Sequence, residues 1–251
     1  MSVLASCFLI LAGIAGGLTG SIAGLASLAT YSGLLAVGLT PFDANVTNTV
    51  ALTFSTVGSV LGSRPELRGQ VPFLRPLIPV ALLGGAIGAA LLLSTPADGF
   101  EKVVPFLLGA ASLTILIPRR RTDPATAVAP SRRNRILQGV ALCAIAIYGG
   151  YFGAAAGVLL LALLLHTTRF DLPRANAAKN VLMGTANVVA AIGFVILAPV
   201  QWSAVIPLGL GCLVGARLGP MVVRRSPPVV LRWLIGAAGV ALAVRLGLQA
   251  F

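Results

Sequence analysis

The chain has 251 residues, of which 57% are hydrophobic and 10% charged, and its mean hydropathy is +0.98. A soluble domain carries about a quarter charged residues, so a soluble fold is excluded. The net charge of +12 is no nucleic-acid footprint, because the arginines sit in short loops between apolar runs and no basic face with interleaved aromatics accompanies them.

Apolar runs of ~20 residues, long enough to cross a bilayer, recur along the chain. They are continuously apolar rather than alternating, which predicts helices and not barrel strands. Ten segments are predicted, five per half. The first five are 3–20, 21–38, 44–62, 76–93 and 103–117, and the second five are 136–152, 153–165, 175–198, 203–220 and 229–249. Residues 1–117 thus form a first membrane repeat and 136–251 a second. The Arg-rich stretch 118–135, with Pro124 and Pro130, links them. Leu4-Ala5-Ser6-Cys7 matches a lipoprotein cleavage pattern by letters alone. Nothing basic or apolar precedes it, so the N-terminus is expected to be retained. Cys7, Cys143 and Cys212 are far apart and form no CxxC, so neither a redox motif nor a zinc site is indicated.

The two halves repeat each other. Ala44–Val50 reads ANVTNTV and Ala175–Val181 reads ANAAKNV, after Pro41 and Pro173 respectively. Each follows a glycine-punctuated run, with Gly13, Gly17, Gly20 and Gly24 in one half and Gly149, Gly153 and Gly157 in the other. The loops 64–75, 118–135, 166–174 and 221–228 with their adjoining helix ends hold all of the 18 Lys and Arg residues except Lys102 and Arg245. That asymmetry makes this face cytoplasmic and puts both termini outside. Five segments per half is an odd number, so the second half enters the membrane in the opposite sense. The expected architecture is an all-α inverted repeat, as in many secondary transporters. Residues 136–165 are too few for two crossings, which need ~40 residues. A glycine-broken re-entrant hairpin is therefore expected to open each half, with its non-helical backbone buried in protein or lining a cavity.

Two constellations carry chemistry. Gly20 and Gly24 match Gly153 and Gly157, each pair at the start of a short helix whose free N–H groups and dipole favour an anion. The same small residues also let helices pack closely, with no ligand role. The second is a polar stripe: Asn45, Asn48, Thr49 and Thr56 recur at the same offsets as Asn176, Lys179, Asn180 and Asn187. Amides and hydroxyls donate to an oxyanion without a fixed countercharge; alternatively they bond only between helices. Lys179, in the place of Asn48, either faces the interior and favours an anion or snorkels to the surface, and Arg217 poses the same choice nearer a helix end. No Asp or Glu lies deep in a span, which argues against a cation or metal carrier. His166 sits at an interface. No nucleophile, base and orienter set and no nucleotide loop is visible, so no enzyme activity, metal or cofactor is expected.

Three stretches resemble the sulfite exporter TauE/SafE-type transporters: TNTVALTFSTVGSVLGSRPELRG (Thr47–Gly69), YGGYFGAAAGVLLL (Tyr148–Leu161) with the following A-N-x-x-K-N, and PVQWSAVIPLGLGCLVGARLG (Pro199–Gly219) with RRSPPVVLRW after it. Their order and spacing span nearly the whole chain. One departure stands out: where such transporters often carry a glycine run, this chain has Leu25-Ala26-Ser27 and Ala154-Ala155-Ala156. The resemblance implies movement of small sulfur-containing oxyanions such as sulfite or a sulfonate, or of related organic acids. The residues themselves support a small anion as substrate, with the lipid bilayer as the other partner. The expected site is Asn45, Asn48, Thr49, Asn176, Lys179, Asn180, Gly20, Gly24, Gly153 and Gly157. The rival readings are an anion channel and a non-transporting membrane interaction protein. The oligomeric state is not readable from the sequence.

Overall fold

A computed structural model describes residues 1–96, 99–100 and 132–225. The predicted segments 103–117 and 229–249, most of the linker, Lys102 and Arg245 lie outside the described residues. Where it is described, the chain is helical: α1 (Val3–Ala23), α2 (Ala26–Ala36), α3 (Pro41–Gly62), α4 (Arg64–Leu67), α5 (Val71–Leu74), α6 (Ile78–Ser94), α7 (Arg132–Tyr151), α8 (Ala156–Thr167), α9 (Leu172–Leu197) and α10 (Trp202–Arg225). Among the described residues, three helices are long and apolar enough to cross a membrane: Val3–Ala23, Leu172–Leu197 and Trp202–Arg224. The distribution of side chains reverses that of a soluble protein. Val3, Leu11, Leu83, Ile196, Leu197 and Ile206 are exposed, whereas Asn45, Asn48, Asn176 and Lys179 are buried. Polar groups turned inward and apolar groups outward are what a lipid solvent selects.

Local signals set the helix ends. Thr40 caps α3, accepting the Asp43 N–H on Oγ1, with Pro41 in the first turn. Asp171 caps α9 in the same way, accepting from Arg174 N–H at 3.0 Å, with Pro173 in its first turn. Both are the expected cap and Pro arrangement of a helix start, so both helices begin earlier than hydropathy alone predicts. The stretch 64–75, expected as a loop, contains the short helices α4 and α5, each with a proline in its first turn.

The first segment pair of each half forms a hairpin. α1 stops at Gly24, whose φ of 81° suits a residue without a Cβ. α2 then returns along α1: Gly20 packs on Ala26, Gly16 on Thr30 and Gly33 on Ala12. α7 and α8 behave alike, and Gln138 near the start of α7 donates to Thr167 Oγ1 at the end of α8, at 2.9 Å. The turn falls at Phe152–Ala155, where Gly153 takes a left-handed φ of 77° and Ala155 one of 58°. α2 and α8 have 11 and 12 residues, half the length of the helices they return along.

Small residues set the packing between helices. Gly13 and Gly17 of α1 lie against Leu208, Cys212 and Ala216 of α10. Gly84 and Gly88 of α6 lie against Cys143, Ala146 and Ile147 of α7. Gly58 and Gly62 of α3 meet Leu213 and Arg217 of α10, and Gly85 and Ala89 of α6 meet Ala186 and Gly193 of α9. Residue numbers rise together in every one of these pairs. α1, α3 and α10 therefore run one way. α6, α7 and α9 run the other way, because the start of α9 meets the end of α3: Gln70 just beyond α3 donates to Arg174 O at 3.1 Å. Each set takes two helices from one half (α1 and α3, or α7 and α9) and one from the other (α10 or α6).

Candidate functional site

α3 and α9 cross at the centre, where Gly184 packs on Thr56. Their first turns are buried all round, from Ala44 to Leu52 and from Ala175 to Asn180. The two hairpin tips meet beside them. Gly24 and Gly157 touch backbone to backbone, and a Cβ on Gly157 would lie 2.6 Å from Gly24 Cα. Here glycine is required by close approach, and at Gly24 by φ as well.

The asparagine helices grip the ends of the hairpins. In the second half, Asn176 Nδ2 donates to Ser21 O at 2.7 Å, and Lys179 Nζ donates to Gly20 O at 2.9 Å and Ser21 O at 3.3 Å. Asn180 Nδ2 also donates to Ser21 O, at 3.3 Å. These carbonyls belong to the last turn of α1, the negative end of its dipole. In the first half, Asn45 Nδ2 donates to Tyr151 O at 2.9 Å, at the end of α7, and Asn48 Nδ2 donates to Ser27 Oγ at 3.3 Å. Thr49 Oγ1 turns back to Asn45 O at 3.1 Å.

Between the tips and the crossing lies a cavity of about 70 Å³. One water needs ~10–15 Å³ on this measure, and benzene fits a cavity of ~150 Å³, so the space suits a few waters or one small polyatomic ion. α3 presents Thr49, Ser55, Thr56 and Ser59 to it, and α9 presents Lys179, Asn180 and Asn187. The hairpins add Gly20, Ser21, Gly24 and Ser27 from one half and Gly149, Gly153 and Gly157 from the other. Ser59 lies one turn from the end of α3, so the cavity leans toward the end of the bundle that carries Arg64, Arg68, Arg174 and Arg224.

Its electrostatics favour negative charge. Lys179 is 1% exposed, and no acidic side chain lines the cavity among the described residues. A buried ammonium bonded to neutral carbonyls is an uncompensated charge. Three donor groups converge on Ser21 O, which has two lone pairs, so N–H groups are in excess at this point. Neither α2 nor α8 has a side-chain cap at its N-terminus, and both N-termini border the cavity through Ala26, Ser27 and Gly157. In α8 the Ala156 and Val158 N–H groups already donate to Gly153 O and Ala155 O, so its ready donor is Gly157 N–H, together with the uncapped first turn of α2.

Of the residues singled out from the sequence, Thr49, Lys179, Asn180, Gly20, Gly24, Gly153 and Gly157 line the cavity. Asn45, Asn48 and Asn176 do not; they stand behind it and hold the hairpin ends. Ser27, Ser55 and Ser59 were missed. Ser59 continues the α3 stripe by one more turn, so a longer window would have found it. Ser27 falls in the stretch that departs from the expected glycine run.

The chain matches the family described as "Sulfite exporter TauE/SafE" over residues 9–246. It belongs to the TauE/SafE sulfite exporter family. It is similar to "Probable membrane transporter protein ORF9" of Sinorhizobium sp, with 28% identity over 244 residues covering 95% of this chain and 91% of that one. It is also similar to "Probable membrane transporter protein YfcA" of Escherichia coli K12, with 26% identity over 92% of this chain and 85% of that one. A "Probable membrane transporter protein" of Haemophilus influenzae is 26% identical over 86% of this chain and 84% of that one. No solved structure matches. Two of the three stretches that carry the TauE/SafE resemblance help build the cavity, through Gly149, Gly153 and Gly157 with the A-N-x-x-K-N turn of α9 and through α3 from Thr49 onward.

Proposed function

We propose that this TauE/SafE family member is a secondary transporter that exports a small sulfur-containing or organic anion, such as sulfite or a sulfonate, across the inner membrane. The observation that carries the reading is Lys179: a buried ammonium on a cavity wall, bonded only to backbone carbonyls. An anion entering the cavity supplies the missing countercharge. Lys179 and Asn180 turn toward it while Asn176 keeps Ser21 O satisfied. Thr49, the uncapped N-terminus of α2 and the Gly157 N–H of α8 complete the shell.

The same reading takes the two halves as inverted repeats, each opened by a re-entrant hairpin. It is supported by the opposite directions of equivalent helices and by the return of α2 and α8 along α1 and α7. Secondary transporters built this way hold substrate at the interface of the repeats and expose it by rocking one against the other. The Arg-bearing end is assigned to the cytoplasm by its charge, which puts both termini outside. The cavity leans toward that end, as expected of a site loaded from within. Export then needs no pump, since moving one negative charge out of a negative interior gains ~2.3 kcal/mol per 100 mV.

The test is a flux screen in proteoliposomes over sulfite, thiosulfate, sulfoacetate, taurine and simple carboxylates, at imposed potentials. Saturable, potential-dependent movement of at least one of the anions is expected. Absence of flux for all of them refutes the reading, and single-channel currents without saturation replace it with a channel.

A further inference from the structure

The two halves present unlike chemistry at equivalent places. At the end of α1, donors exceed acceptors, because Lys179 brings an ammonium to Gly20 O and Ser21 O. At the end of α7, two buried amide oxygens are left over. Asn45 and Asn48 are both 1% exposed, and the Oδ1 of each has no hydrogen-bond partner. They sit three residues apart on one face of α3, so their side chains are neighbours. The amide of Asn45 is anchored on Tyr151 O, a carbonyl of the last turn of α7, and that of Asn48 on Ser27 Oγ. A buried amide oxygen without a partner carries its desolvation cost unrepaid. Asn176 Oδ1 is also unpartnered, but the Lys179 ammonium lies on the same face one turn away. Asn48 occupies the position of Lys179 and brings no charge.

We propose that the end of α7 binds a monovalent cation, Na⁺, held by Asn45 Oδ1 and Asn48 Oδ1 beside Tyr151 O and Ser27 Oγ, in the place that the Lys179 ammonium takes in the other half. All the donors named are neutral oxygens, which suits a hard ion of single charge. The carbonyl end of a helix favours a cation, and the C-terminal ends of broken helices are where Na⁺ is coordinated in transporters of inverted-repeat build. The ion adds positive charge near the cavity, so it strengthens the binding of an anion there while itself staying in its site. The coupling to transport rests on the function proposed above; the binding of the ion does not.

The experiment uses the full chain in two formats. In detergent, Na⁺ replacing choline at constant ionic strength raises the Tm saturably, because a ligand bound only by the folded state stabilises it. In proteoliposomes, the same exchange from Na⁺ to choline lowers anion flux at least five-fold. Asn48→Lys carries its own ammonium, so its Tm and its flux are indifferent to Na⁺. A wild-type protein whose Tm does not respond to Na⁺ overturns the site, whether or not Asn48→Lys folds. A Tm response without flux of any anion keeps the cation site and defeats the transport reading. Flux that is insensitive to Na⁺, with no Tm response, does the reverse.

Discussion

Replacing Lys179 with methionine separates a ligand role from a structural one. The substitution keeps the length and bulk of the side chain and removes the charge. Its effect on folding is small, because each carbonyl keeps another donor. Gly20 O still accepts from Gly24 N–H at 2.7 Å, and Ser21 O still accepts from Asn176 and Asn180. Removing a buried charge that has no carboxylate partner also relieves a desolvation cost. Stability in detergent is therefore expected to stay within about 1 kcal/mol of wild type or to rise. Anion binding behaves differently. A hydrogen bond to a charged group contributes roughly 1.5–3 kcal/mol, and each 1.4 kcal/mol is about tenfold. Flux at low substrate concentration is expected to fall roughly 10- to 100-fold. The assay pairs thermal unfolding with proteoliposome flux on the same preparation. A Lys179→Met protein that transports at the wild-type rate but loses more than about 3 kcal/mol of stability would refute the reasoning, since a broken structural charge pair costs about that much.

Gly157→Ala forces its Cβ to 2.6 Å from Gly24 Cα and is expected to cost about 1–3 kcal/mol by overpacking, read as a lower Tm. Ala155→Gly relieves the left-handed φ of 58° and is expected to raise stability by about 0.5–1 kcal/mol, the gain being reduced by the entropy of glycine in the unfolded chain. At the end of α10, Arg224 forms a two-pronged ion pair with Glu66, its Nη2 donating to Oε2 at 2.9 Å. The pair joins α4 to the end of α10 and holds the Glu66 carboxyl below its ordinary value of 4.5. The depressed value means that the stabilisation is present above that ordinary value and is lost as pH falls through the lowered one. Glu66→Gln is thus expected to lower stability by no more than about 1 kcal/mol at neutral pH, with the difference from wild type vanishing in strong acid; a pH series of Tm for both proteins checks this.

Much of the site was readable from residue order. The paired prolines and capping residues Thr40 and Asp171 start α3 and α9 in the same way, which sets Asn45 against Asn176 and Asn48 against Lys179. The glycines at 20, 24, 153 and 157 mark the hairpins because only small residues allow backbone contact. Two things were not readable. A stripe on a helix says which residues share a face, but not whether they touch a cavity or a neighbouring helix end, and this misplaced Asn45, Asn48 and Asn176. The second hairpin turns at Gly153 as the glycines suggested, but its other left-handed position is Ala155, a conformation that its residue type disfavours and that only its surroundings impose.

Composition and periodicity alone thus determined that the chain is a set of apolar helices with polar groups turned inward, because those properties depend on transfer to hydrocarbon and on the helical repeat. The tertiary structure decided which polar groups are spent and which remain. Ser21 O lies 158 positions from Lys179 and Tyr151 O lies 106 from Asn45, and such partners meet only because the Gly24–Gly157 contact fixes where the two hairpins stop. That meeting point leaves surplus donors in one half and surplus acceptors in the other, a difference that local sequence does not encode.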